Sequence, residues 1–186
     1  MSNEVFKLKE LSKKLGSDLS LIQASGGNTS IKLDGKLWVK ASGKKLKNAL
    51  SEEIFVSLDL KKITNALSIN KSKKELNFTN ICSSSLRASI ETSLHAIMPH
   101  KVVLHTHSVD AIAITLISNS YNYLNKLMKD INWKFIPYYK PGITLAKAIS
   151  KGFQDNPNPA NVLVLANHGL VIGEESIEKA EALHKE

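Results

Sequence analysis

Residues 101–107 read Lys101-Val102-Val103-Leu104-His105-Thr106-His107. The aliphatic run, rich in β-branched side chains, predicts a buried strand that runs directly into His107. Pro99 ends the helical pattern that precedes it. Residues two apart on a strand leave the same face, so His105 and His107 point the same way. Two imidazoles at the end of a buried strand can share one metal ion. The alternative is two unrelated, partly buried histidines.

Upstream of this strand, residues 84–98 carry Leu86, Ile90, Leu94 and Ile97 at helical spacing. Residues 60–80 are polar and lysine-rich and read as a helix followed by a loop. Residues 54–58 form a short strand. Asp34-Gly35 is a hairpin signal between strands at 31–33 and 37–41. A polar, glycine-containing stretch at 24–30 precedes that hairpin. Val5, Leu8, Leu11 and Leu15 mark a first helix over 3–15, closed by Gly16.

Downstream, residues 109–117 and 121–128 read as helices. Residues 133–139 read as a strand that holds Pro137, which places it at an edge or bends it there. A helix follows over 145–153 and a loop over 155–159. Strands at 162–166 and 170–172 flank the turn Asn167-His168-Gly169. Ser176 opens a last helix. Strands and helices alternate, but two hairpins interrupt the alternation. The pattern predicts one α/β domain over residues 1–186, with a mixed or mainly antiparallel sheet covered by helices on both faces, not a doubly wound sheet.

Composition excludes several classes. The chain has 186 residues, of which 42% are hydrophobic and 23% charged, as in ordinary globular proteins. No apolar run approaches the ~20 residues that a bilayer span needs. The charged N-terminus lacks the apolar core of a secretory signal. A single cysteine, Cys82, allows no internal disulfide and suits the reducing cytoplasm. The net charge is +8, yet 24 of the 25 basic residues are lysines scattered along the chain. The densest cluster, Lys40, Lys44, Lys45 and Lys47, has no interleaved aromatics. It reads as a solvated surface that attracts a phosphorylated or carboxylated small molecule, not as a nucleic-acid or membrane site. Arg87, the sole arginine, stands four residues before Glu91. A carboxylate contact and mere coincidence are both open readings for it.

The chemistry centres on histidine. Catalytic zinc commonly takes three protein ligands and keeps one position open. His168, in a strand-to-strand turn beside Gly169, is the best third ligand after His105 and His107. Glu91 and His95 lie one helical turn apart. A carboxylate near a metal can move a proton if partial burial raises its pKa. The bland alternative is a solvated glutamate and a packed histidine, and for His95 that alternative is preferred. His100 and His184 read as structural or surface residues. Gly26-Gly27-Asn28-Thr29-Ser30 could cradle an anion with its backbone N–H groups, but it matches neither a Walker nor a Rossmann sequence, and by itself a plain turn is the preferred reading.

Taken in order, SGGNTSIKLDGKLWVKASG, SIETSLH, VVLHTHS and ANHGLVIGE resemble the class II aldolase/adducin family over residues 25–174. The closest flavour is the aldolase part of rhamnulose-phosphate aldolase-type proteins. The resemblance implies a three-layer α/β/α sandwich with a central, mainly antiparallel sheet. It implies zinc, or another divalent ion such as manganese or cobalt, held by His105, His107 and His168, with Glu91 as catalytic acid/base. The family's phosphate pocket maps onto Gly27, Asn28, Ser42, Gly43 and Ser89, with Lys40 and Arg87 nearby in sequence. The family assembles as homo-oligomers, usually tetramers, with active sites at subunit interfaces.

The implied reaction is lyase chemistry on a small sugar phosphate or sugar acid through a metal-stabilised enediolate. Epimerisation, dehydration and decarboxylation by the same site are alternatives, as is a non-catalytic adducin-like binding domain. The chain departs from the sugar-phosphate aldolases in carrying Ile90 where their second serine precedes the glutamate, so one phosphate-facing hydroxyl is missing.

Overall fold

The Asp34-Gly35 turn has positive φ at both residues, 50° and 72°, as a tight two-residue hairpin requires. It joins β1 (Asn28–Leu33) to β2 (Lys36–Lys40). The structure is a computed structural model that describes residues 2–69, 76–78, 85–154 and 158–186. The other strands and α-helices are α1 (Asn3–Gly16), β3 (Phe55–Asp59), α2 (Leu60–Ile69), α3 (Thr92–Ile97), β4 (Val102–Thr106), α4 (Val109–Leu116), α5 (Ser120–Leu127), β5 (Trp133–Ile136), α6 (Ile143–Gln154), β6 (Val162–Leu165), β7 (Gly169–Glu174) and α7 (Ile177–Lys185).

The seven strands form one sheet in the order β3-β2-β1-β4-β7-β6-β5. Every neighbouring pair is antiparallel except β5 with β6. That parallel pair is joined through α6, the kind of crossover a parallel connection needs. The mixed, mainly antiparallel α/β sheet read from the sequence is therefore present. β5 is an edge strand and ends at Ile136, so Pro137 lies just beyond the ladder and removes no hydrogen bond from it.

β4 lies at the centre of the sheet and is buried along its whole length. Its side chains alternate. Val102 and Leu104 pack with Val5, Leu8 and Leu15 of α1 and Ile177 and Ala180 of α7. Val103 packs on the other side with Leu94 of α3 and Leu145 and Ile149 of α6. His105 and His107 continue the Val103 row, while Thr106 faces α7, where its Oγ1 meets His184 Nε2 at 3.3 Å. The metal-ligand candidates thus project towards α3.

Two expectations change. The helix expected over 84–98 shortens to α3, which starts at Thr92. Ala88 instead makes an isolated antiparallel bridge with Ala41, and the Ser42 N–H donates to the Arg87 carbonyl. These sheet contacts compete with helix formation, and Ile90 is left 49% exposed, off the expected apolar face. Asn28-Thr29-Ser30 is not a loop but the start of β1, paired with His105, Leu104 and Val103. Cys82, Ser84, part of the 60–80 region and part of the 155–159 loop lie outside the described residues.

Candidate metal centre

β4 delivers His105 and the residue after its end, His107, onto one face, as strand periodicity requires. His168 reaches the same point from the β6–β7 turn. Asn167 takes a left-handed φ of 57° there and Gly169 a φ of 139°. A Cβ on Gly169 would lie 2.1 Å from the Thr106 carbonyl oxygen, so only glycine lets this turn press against β4. Glu91 enters from the N-cap of α3. The ring centroids of His105 and His107 are 5.0 Å apart, those of His105 and His168 4.8 Å, and those of His107 and His168 5.2 Å. One ligand atom from each histidine and one Glu91 oxygen all lie within 4.8 Å of one another.

His105 Nδ1–H donates to the Leu170 carbonyl at 2.8 Å, which turns Nε2 towards the cluster. His105 Nε2, His107 Nε2 and His168 Nδ1 are buried without a well-directed hydrogen bond. Buried ring nitrogens in this state are costly unless something else satisfies them. A divalent ion fits the donor set, which is the nitrogen-and-carboxylate type that zinc accepts.

The charges are coupled. Burial disfavours an ionised Glu91, but the charge of His105 and the close approach of the His105 and His168 rings to the carboxylate outweigh it. The carboxyl is held well below its ordinary range, the reverse of the raised value that sequence reasoning asked for. Burial likewise disfavours a charged His105, and the Glu91 carboxylate and the Leu170 carbonyl overcome that and raise its pKa. His107 falls to about 4 through burial and the adjacent charge of His105. His95 is completely buried, falls to about 3 through burial, and bonds to Ser30 Oγ through Nδ1 at 2.7 Å. It is a neutral packed histidine, as preferred from the sequence.

A cavity of about 230 Å³ opens beside Glu91 and His107, and Gly27, Ser42, Gly43 and Ser89 line it. Asn28 does not. It is fully buried, and its Oδ1 accepts the Lys40 backbone N–H at 3.2 Å, so it braces the cavity wall. Lys40 does line the cavity. Its Nζ donates to the Ser25 carbonyl at 2.8 Å and the Lys44 carbonyl at 3.0 Å, which ties the two loops of the wall together. Burial lowers its pKa, partly offset by the Glu91 charge. Arg87 stands outside this cavity, where its Nη2 donates to Ser42 Oγ at 2.9 Å. It lines a neighbouring cavity of about 420 Å³ that shares Ser42, Ser89 and Ile90 with the first.

Sequence reasoning missed Gly26. A Cβ there would lie 2.7 Å from His107 Nδ1 and 2.9 Å from the Gln23 carbonyl. The glycine lets the 23–27 loop close over the imidazole. The Gly26-Gly27 pair was the available signal, but its use as a lid for a histidine 81 positions further along the chain depends on the β1–β4 pairing.

Comparison with known proteins bears on the fold and the family. The family model for the class II aldolase and adducin N-terminal domain matches residues 7–185. The "Uncharacterized oxidoreductase YuxG" of Bacillus subtilis (strain 168) is 34% identical over 183 residues, covering 90% of this chain and 26% of that protein. The chain thus spans about a quarter of that relative's length. The N-terminal class II aldolase domain of a conserved protein from Thermoplasma acidophilum superposes with a TM-score of 0.84 at 26% identity, over 99% of this chain and 90% of that one. The L-fuculose-1-phosphate aldolase of Thermus thermophilus shares the fold, with a TM-score of 0.60 at 17% identity over 96% of this chain and 88% of that one. With the sheet, the histidine cluster and the matched sequence all in agreement, the chain belongs to the class II aldolase/adducin family.

Proposed function

We propose that this chain is a divalent-metal-dependent lyase of the class II aldolase type, acting on a small sugar phosphate or sugar acid. The observation that carries the reading is the convergence of His105, His107, His168 and Glu91 on one point beside a cavity with a buried lysine. The three histidines would hold zinc or a comparable ion, with Glu91 as the fourth group until substrate arrives. A bound ion would supply Lewis-acid polarisation of a carbonyl and its neighbouring hydroxyl.

The remaining work falls to the chain. Lys40 sets a positive potential behind Ser42, Gly43 and Ser89, which suits the anionic end of a substrate. Ile90, at the lip, offers no hydroxyl, so a carboxylate end is accommodated as readily as a phosphate. Glu91 takes a proton from, or returns one to, the substrate carbon beside the carbonyl. Its depressed pKa depends on a charged His105. When His105 turns neutral to ligate, the positive charge of a bound ion would replace that of the imidazolium, keeping Glu91 ionised and ready to accept a proton.

The reading also carries self-assembly. α4 and α5 leave Val109, Leu116, Ile117, Tyr121, Tyr123 and Leu127 at least 50% exposed, an apolar surface next to the site that supports a homo-oligomer. Light scattering would give the mass in solution. Among the described residues no helix is long and apolar enough to cross a membrane.

The test is the metal content of tag-free protein beside a His105→Ala/His107→Ala control, followed by a screen of sugar phosphates and sugar acids for cleavage. About one ion per chain in the parent and little in the control supports the site. A parent that stays metal-free after incubation with zinc, manganese and cobalt overturns it and favours an adducin-like binding domain. Product analysis separates cleavage from epimerisation, dehydration or decarboxylation.

A further inference from the structure

His168 reaches the centre from a hairpin apex, and a rigid apex is what would hold its ring in place. The backbone donors of that apex have identifiable acceptors. Ala166 N–H donates to the Ile136 carbonyl at 2.9 Å, and His168 N–H donates to Leu165 within the turn at 3.1 Å. Between them, Asn167 N–H donates to the Thr115 side-chain oxygen at 2.9 Å. Asn167 is the residue in the left-handed conformation, at φ 57°, a region that an L-residue enters at a cost unless its surroundings hold it there.

Thr115 is suited to the task. Its hydroxyl hydrogen goes to the Ile112 carbonyl at 2.8 Å, which orients the oxygen and leaves a lone pair for Asn167. Thr115 lies in the last turn of α4, and the other end of that helix is tied to a second metal-ligand candidate. Ser108, directly after His107, caps α4 by accepting the Ala111 N–H at 3.3 Å. Val109 N–H donates to the Ser20 carbonyl at 2.8 Å. One short helix therefore spans from the His107 segment to the His168 turn.

We infer that Thr115 is a positioning residue that fixes His168 for metal binding through the Asn167 N–H, with α4 as a brace between the two histidine-bearing segments. The inference rests on the metal-centre reading above. It assigns Thr115 no contact with metal or substrate. It does make the affinity for the ion depend on a hydroxyl two bonds of contact away.

The experiment compares zinc affinity by chelator competition, and the ligand-field spectrum of the cobalt-loaded protein, for the parent, Thr115→Val, Thr115→Ser, His168→Ala and the Thr115→Val/His168→Ala double variant. Valine keeps the shape of threonine and removes the acceptor. Thr115→Val is expected to bind zinc roughly tenfold more weakly, as is typical when a group orienting a ligand is lost. Its cobalt spectrum is expected to shift, and Thr115→Ser is expected to restore both. In the His168→Ala background the valine is expected to add nothing, because the ligand through which Thr115 acts is gone. If Thr115→Val keeps the parent's affinity and cobalt spectrum while His168→Ala loses them, the metal centre stands and the positioning role is overturned, even if the valine variant melts earlier. If the parent itself takes up no metal, the reading beneath the inference fails and the inference with it.

Discussion

Glu91 Oε1 lies 3.0 Å from His105 Nε2, the nitrogen that has no carbonyl partner and faces the cluster. In this geometry the carboxylate and imidazole hold each other in their charged forms. The proposed function requires His105 to give up its proton and Glu91 to give up this partner.

Glu91→Gln tests that division of labour. The amide keeps the size of the side chain but cannot carry the proton. The variant should retain about one metal ion per chain while turnover falls at least roughly 100-fold, the usual scale for losing a general acid/base. The measurement is paired metal analysis and turnover on any substrate the parent cleaves. Parent-like turnover would remove Glu91 from the mechanism.

Metal occupancy should appear as stability. A ligand present at a hundred times its dissociation constant stabilises the native state by about 2.7 kcal/mol. For a chain of this size that is a rise in melting temperature of roughly 5–10 °C. Zinc should produce that shift in the parent and almost none in His105→Ala/His107→Ala. Equal shifts in both would place the bound ion elsewhere.

Gly26→Ala should weaken metal binding with little change in fold. The added methyl would meet His107 Nδ1 at 2.7 Å, so the ring must turn or the loop must lift. Gly35→Ala is the control. Nothing lies within 4 Å of its Cβ, although its φ of 72° is strained for alanine. It should cost about 1 kcal/mol of stability and leave metal affinity alone. Denaturant melts with zinc titrations separate the two.

Lys32 gives a pH dependence away from the centre. Its Nζ donates to the Met98 and His100 carbonyls, at the end of α3. Burial lowers its pKa from 10.5 to about 8, with a small opposing effect from Glu175. Between those values the unfolded chain binds more protons than the native one, so this group's contribution to stability rises with pH across that window. Below the folded value the penalty is fully present. Full burial would make it about 3 kcal/mol, and the partial exposure of the side chain reduces it. Lys32→Met should flatten the rise between pH 8 and 10.5 in urea melts. An unchanged pH profile would refute the assignment.

The β4 stretch makes much of the site legible in the sequence. An aliphatic run followed by His-x-His fixes a buried strand and puts both rings on one face, because strand periodicity is local geometry. The hairpin at Asp34-Gly35 and the turn at Asn167-His168-Gly169 were equally visible, since positive φ favours these residue types. The ordered motifs identified the family, and the mixed sheet followed from hairpins interrupting a strand–helix alternation.

Other features depended on partners far away in sequence. Arg87 to Ile90 carry helical periodicity, yet the Ala88–Ala41 bridge holds Ala88 out of the helix, because an available sheet edge outweighs a weak helix preference. Asn28, Thr29 and Ser30 look like loop and are a buried strand, because Lys40, Ser12 and His95 each hydrogen-bond one of their side chains. The sign of the Glu91 shift was hidden for the same reason. Burial alone raises a carboxylate pKa, and only the placement of His105 and His168 beside it turns the balance. The sequence determined which groups carry the chemistry and which local turns present them. The tertiary structure decided which of those groups share a charge, a hydrogen bond or a cavity, because those energies depend on distances of a few ångströms between segments far apart along the chain.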